Sequence, residues 1–239
     1  MCTLTFIPRP RGFVLGMNRD DRYSRPTAIV PAVYQAGSQQ ALYPVELGSG
    51  TWIAVNQAGL GFAILNWSLP KGEKLHSRGE IIPRLAAHSG LEPVAKELGT
   101  MNLAGTLPFR LIVVSAREER ICEFLWDGSG VEFNSRPWEL NHWFSSGHGD
   151  TLAERSRRPV CQSADAAPDA GSIEWLRALH RSHAPERGPF SICVHRDDAG
   201  TLSYTEVQCD AERVSTGYSP GFPCESSGIA VVDLPRLLH

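Results

Sequence analysis

The sequence predicts an α+β protein in which sheets and helices form packed layers. Three observations carry this. From Cys2 to Asn66 the chain is built of short apolar runs paired across turn residues, the pattern of antiparallel hairpins. Two helical stretches follow between Ser77 and Gly99, and from Phe109 the period returns to that of strands. A length of 239 residues, with 42% hydrophobic and 21% charged side chains, suits one domain spanning residues 1–239 with a sizeable core.

Taken in order, Cys2–Ile7 and Phe13–Met17 read as strands joined by the short connector Pro8-Arg9-Pro10-Arg11-Gly12. Strands joined so tightly lie side by side, which carries the polar run Asn18-Arg19-Asp20-Asp21 back beside Cys2. A thiol then sits among an Arg and two carboxylates. A lone cysteine in a strand is often only a small buried hydrophobe. Cys2 differs because it follows an initiator Met that is normally clipped before a small residue. The exposed cysteine would carry nucleophile and base together, a thiol titrating near ~8.5 and an α-amine near ~7.7–8.0.

Arg22–Pro31 reads as an irregular crossing around Pro26 and Pro31, and Tyr34–Gly50 as loop around a short strand. Thr51–Val55 and Leu60–Leu65 form a second hairpin across Asn56-Gln57-Ala58-Gly59, closed by Asn66. A strand-ending Asn commonly turns the chain. Ser77-Arg78-Gly79-Glu80 fits a capping box for a helix through Ile81, Ile82 and Leu85, and Leu91–Leu98 is a second helix stopped by Gly99.

Phe109–Ser115, Arg120–Trp126 and Val131–Asn134 read as a meander. Trp143–Asp150 joins a strand to a helix capped by Asp150 or Thr151, with a Ser146-Gly147 loop that could line a site. Gln162–Gly171 is the least ordered stretch on composition, and Ile173–His183 is an amphipathic helix. Phe190–His195, Thr201–Val207 and Gly228–Val232 read as late strands, so Ser191, Cys193 and His195 would share a strand face.

A net charge of −3 gives no electrostatic case for nucleic acid or an anionic membrane. No apolar run approaches the ~18 residues of a membrane span, and the start lacks the pattern of a signal peptide, so a cytoplasmic protein is expected. The six cysteines include no C-x-x-C pair, and neither a zinc site nor any other metal or cofactor is expected.

Met1-Cys2-Thr3, Gly16-Met17-Asn18-Arg19-Asp20-Asp21 and Tyr23-Ser24-Arg25-Pro26-Thr27 together resemble the NRDE family, also called the transport-and-Golgi-organization-2 family, with Asp21 where its final Glu stands. That family is similar to N-terminal-nucleophile hydrolases such as penicillin V acylases and bile salt hydrolases, which also open Met-Cys-Thr and carry an Arg-Asn-x-Asp run. Met17 stands at the position of their Arg, and Arg19, on the same strand face, would supply the guanidinium. Asn56–Trp67 resembles their Asn-x-x-Gly-Leu-x-x-x-x-Leu-Asn-aromatic segment, and Ser191–His195 resembles the family's Ser-x-Cys-x-His segment.

The resemblance implies a four-layer αββα sandwich and hydrolysis of an amide or related acyl bond in a small molecule through a thioester on Cys2. In that reading Arg19 favours thiolate, Asp20 orients the amine or nucleophile, and Asn66 donates to the oxyanion. Asn18, Ser191 and His195 would bind substrate. The competing expectation is a carrier that keeps the fold without turnover and binds haem or acyl-CoA, functions attributed to members of this family, with Cys2, His148 or His195 as a haem ligand.

Overall fold

The computed structural model describes residues 2–48, 50–67, 75–147 and 149–237. Strand β1 (Cys2–Arg9) and strand β2 (Gly12–Arg22) form the expected antiparallel hairpin. Period-two alternation divides their side chains. Leu4, Phe6, Phe13, Leu15 and Met17 enter one apolar core, while Ile7 and Val14 enter another on the opposite face.

The remaining strands are β3 (Ile29–Ala36), β4 (Gln39–Val45), β5 (Ile53–Asn56), β6 (Leu60–Asn66), β7 (Phe109–Ser115), β8 (Arg120–Trp126), β9 (Val131–Arg136), β10 (Asn141–Ser145), β11 (Ala199–Cys209), β12 (Arg213–Pro220) and β13 (Ala230–Pro235). They build two antiparallel sheets. One has six strands in the order β10-β1-β2-β11-β12-β13, and the other seven in the order β3-β4-β5-β6-β7-β8-β9.

Among the described residues, four α-helices cover the outer faces. Helices α1 (Ile81–Leu85) and α2 (Leu91–Thr100) place Ile82, Leu85, Val94 and Leu98 against the seven-stranded sheet. Helices α3 (Asp150–Asp165) and α4 (Ile173–Arg181) place Ala153, Cys161, Trp175, Leu176 and Leu179 against the six-stranded one. Gly16 lets α4 approach: a Cβ there would stand 2.9 Å from the Leu176 side chain. The result is the expected α+β sandwich, helices on sheet on sheet on helices.

Several expectations are corrected. Where one short strand was expected, residues 29–45 form a strand pair; β3 is an edge strand whose Pro31 sits at a register shift, where its missing N–H costs no ladder bond. β12 hides its buried face, Val214, Thr216 and Tyr218, behind Ser and Gly that read as turn. Helix α3 continues to Asp165, with Ala167 and Ala170 of the next turns packed on the same core, so this stretch is ordered by burial. Asp150 is the first helical residue, following Gly149, and accepts a bond of 2.7 Å from the Ser146 N–H.

Phe190–His195 is not a strand. Its backbone donors go to its own neighbourhood: Ile192 N–H to the Ala184 carbonyl, Cys193 N–H to Ser182 and His195 N–H to Gly188. Without a partner strand, the shared-face argument for Ser191, Cys193 and His195 does not apply.

A candidate active-site cleft at the end of the first hairpin

Register across four strands sets one row of side chains. Cys2 on β1 pairs with Ser145 on β10 to one side and with Arg19 on β2 to the other, and Arg19 pairs in turn with Ser203 on β11. Met17 pairs with Leu4, one step deeper in the core, so the cation opposite Cys2 is Arg19.

Cys2 is 7% exposed at this rim. Burial pushes its thiol above the ordinary range, the Asp20 carboxylate adds to that, and a backbone hydrogen bond from Asp20 and the Arg19 charge pull the other way. The net direction keeps the thiol protonated near neutrality, so attack on a carbonyl requires a base.

Asp20 lies on the opposite face of β2, buried among α3 and β11. Its Oδ1 accepts a 2.6 Å bond from Thr201 Oγ1, and its Oδ2 lies 3.6 Å from Arg157 Nη2. Burial pushes the carboxyl up, opposed by the Arg157 charge and the Thr201 hydroxyl. Arg157, fully buried on α3, also donates to the Cys2 carbonyl at 3.3 Å, to Thr3 Oγ1 at 3.0 Å and to the Phe190 carbonyl at 3.4 Å. One guanidinium therefore fixes both the backbone of Cys2 and the side chain of Asp20.

On the rim, Arg19 Nη2 pairs with Glu46 Oε2 at 3.1 Å and Asp21 Oδ2 at 3.3 Å, and Arg25 reaches the same two carboxylates at 3.0 and 3.3 Å. The Arg19 guanidinium also lies 4.6 Å from the centre of the Trp52 ring. This closed ring of charges holds Arg19 in one orientation beside Cys2. Gly50 permits the neighbouring backbone contact, with a φ of +80° and a virtual Cβ only 2.1 Å from the Gly79 carbonyl oxygen.

Cys2, Arg19, Asp20, Trp52, Asn66 and Arg78 are among the residues lining a cleft of about 120 Å³. A second hollow of about 280 Å³ shares Asp20, Asp21 and Asn66 with it and is bounded by Gly147 and Arg196. Asn66 ends β6 at the junction of the two, and Gly147 lies where the Ser146-Gly147 loop was expected to line a site. Arg78 donates to the Pro108 carbonyl at 2.9 Å, and burial lowers its pKa while Cys2 and Asp21 raise it.

The fold thus brings Cys2, Arg19, Asp20 and Asn66 to one cleft. The three expected substrate-binding residues lie elsewhere. Asn18 is fully buried, and its Nδ2 donates to the carbonyls of His180 and Ile192, both at 2.9 Å, tying β2 to the helical layer. Ser191 Oγ lies 2.8 Å from the Gly188 carbonyl and 2.5 Å from the Cys193 carbonyl, either of which accepts its one hydrogen. Neither it nor His195 is among the described residues lining the cleft. Met1 and His148 fall outside the described residues.

Sequence reasoning missed Arg157, Arg78, Thr201 and Trp52. Arg157 sits in the run Arg155-Ser156-Arg157-Arg158, which reads as a solvated helix face. Nothing local separates the buried guanidinium from its exposed neighbours. Thr201 faces Asp20 only through the register of β2 with β11.

Solved structures share the fold at low identity. Penicillin V acylase from Agrobacterium tumefaciens superposes with a TM-score of 0.54 at 12% identity, covering 98% of this chain and 91% of that one. Two variants of conjugated bile acid hydrolase from Clostridium perfringens give TM-scores of 0.55 at 10% and 11% identity, each covering 98% of this chain and 92% of the other. No curated protein of similar sequence was found. The sequence model of the family described as Transport and Golgi organisation 2 matches residues 1–157, the part that holds Cys2, Arg19, Asp20, Asn66 and Arg157, and the chain belongs to that family.

Proposed function

We propose that this protein is an N-terminal cysteine hydrolase that cleaves an amide, or a related acyl bond, in a small molecule through a thioester on Cys2. The observation that carries the reading is that Cys2, Arg19, Asp20 and Asn66, residues from three strands, line one cleft. The names of the structural neighbours, an acylase and a conjugated bile acid hydrolase, favour an amide substrate.

In this mechanism Met1 is removed and the Cys2 α-amine accepts the thiol proton. The thiolate attacks the acyl carbonyl, and the Asn66 carboxamide N–H donates to the oxyanion of the tetrahedral intermediate. Collapse breaks the carbon–nitrogen bond, and the α-ammonium returns its proton to the departing amine. Water, deprotonated by the same amine, then attacks the thioester, releasing the acid and the free thiol. Asp20, held by Thr201 and Arg157, orients the amine, and Arg19 favours the thiolate electrostatically.

Turnover of a panel of N-acyl amides by wild-type and Cys2→Ser proteins tests the reading. Multiple turnover by wild type, with Cys2→Ser binding the same substrate but nearly inert, is the expected result. Equal rates for the two proteins would reject Cys2 as nucleophile.

A further inference from the structure

Four side chains with no catalytic role converge beneath the start of β11. His183 follows α4, Cys193 and His195 lie in the coil before β11, and Cys224 lies in the turn after β12. Each offers one ligating atom, and the four atoms lie within 4.8 Å of one another. His195 Nε2 is 3.6 Å from Cys193 Sγ and 3.4 Å from Cys224 Sγ. Zinc bonds of ~2.3 Å to sulfur and ~2.0–2.1 Å to nitrogen, at tetrahedral angles, place sulfur and nitrogen about 3.6 Å apart. The two measured edges fit that figure.

A second observation points the same way: His183 Nε2 is buried without a hydrogen-bond partner. Its ring packs T-shaped against His195, centroids 4.9 Å apart, and Phe222 stacks on the His195 ring with centroids 4.3 Å apart. A polar knot of this composition, two thiols and two imidazoles with an unmet nitrogen, is costly unless something binds it.

We infer that His183, Cys193, His195 and Cys224 form a structural zinc site. Two thiolates and two neutral imidazoles balance the charge of the ion and fill its four positions, leaving none for substrate or water. Residue spacing conceals the site, because Cys224 arrives from beyond two strands and no C-x-x-C pair exists. With the metal on Nε2, His195 Nδ1 carries the ring hydrogen, so the exposed Arg187, now 3.3 Å from Nδ1, must turn away.

The metal would fasten an irregular segment that meets the sheet at the start of β11, where the Thr201 N–H donates to the Val194 carbonyl and His195 bridges to Gly200. Between Cys193 and His195, the Val194 N–H donates to Thr201 Oγ1 at 2.8 Å, and that hydroxyl donates to Asp20. The zinc therefore anchors the backbone that supports Thr201 against Asp20, without entering the cleft. The inference does not depend on the hydrolase reading.

The test uses the full chain purified under reducing, chelator-free conditions. Elemental analysis should find one zinc per chain, and cobalt substitution should give the visible bands of a tetrahedral thiolate site. Cys193→Ser with Cys224→Ser should weaken cobalt binding by more than the roughly 10–100-fold that loss of a supporting contact costs. Cys161→Ser, in the separate helical core, should leave binding intact. If the double variant does not fold, wild-type alkylation decides: zinc should protect Cys224 from a thiol reagent, and a chelator should expose it. Reduced wild-type protein that binds neither metal, unaltered binding by a folded double variant, or a Cys193–Cys224 disulfide in the isolated protein would overturn the site.

Discussion

The two faces of the β1–β2 hairpin bury different chemistry. The face toward the second sheet is apolar through Leu4, Phe6, Leu15 and Met17 and turns polar at its rim, where Cys2 meets Arg19. The face toward the helices carries Thr3, Thr5, Asn18 and Asp20, all buried and all hydrogen-bonded to distant parts of the chain. Thr5 Oγ1, for example, lies 2.9 Å from His142 Nδ1 and 3.0 Å from His180 Nε2, while His142 Nε2 meets Asp165 at 3.0 Å. Cys2, the proposed nucleophile, needs access at this rim. Its geometry is fixed from behind, by a polar network that meets the cleft at Asp20.

The sharpest way to break this division is Arg157→Met. Removing the guanidinium takes the Arg157 charge from buried Asp20 and the donor from the Cys2 carbonyl and Thr3 Oγ1, and a loss of about 3–5 kcal/mol in unfolding free energy is expected from urea titration. A loss below about 1 kcal/mol would mean that the network is not what supports the rim. Asn66→Ala should do the reverse, lowering kcat by roughly 10²–10³, equivalent to ~2.7–4 kcal/mol, with KM and unfolding nearly unchanged. If KM rises with kcat intact, Asn66 binds the ground state instead.

His180 sharpens the comparison through pH. Burial and the charges of His142 and Arg157 lower its pKa from 6.5 to about 3, so the folded protein holds it neutral. Between those values the unfolded chain binds the extra proton, so this contribution is complete above pH 6.5 and shrinks as pH falls, by about 1.4 kcal/mol per pH unit. Asp20, whose carboxyl is pushed up by burial, works in the opposite sense on acidification. Comparing wild type with His180→Gln isolates the histidine: the stability gap should narrow from about pH 7 to pH 4. A gap independent of pH would reject a neutral buried His180. The smallest effect is expected for Glu46→Gln, since Asp21 still pairs with both Arg19 and Arg25, and a cost of about 1 kcal/mol or less should appear on thermal unfolding.

The rim was legible in the sequence because its parts are local. A short connector fixes which residues oppose Cys2, and Asn66 is recognisable as the end of its own hairpin. The supporting face was not. Arg157 looks like any helix-surface Arg until α3 is laid across β1, and Ser145 and Thr201 face Cys2 and Asp20 only through long-range register. The same holds for the Cys193 and His195 cluster. Alternation suggested a strand facing the cleft, whereas the segment lacks a partner strand and turns its thiol and imidazole toward Cys224. Long-range pairing carries no signature in a single chain.

The central claim, that Cys2 forms a covalent acyl intermediate, is tested most directly by acid-quenching the protein during turnover of an amide substrate and mapping the adduct by peptide mass. The account predicts an acyl group on a peptide that begins at Cys2, gone when turnover ends and absent from Cys2→Ser. Steady turnover with Met1 retained and no adduct on Cys2, or tight binding of haem or acyl-CoA with no product from any acyl substrate, would contradict it.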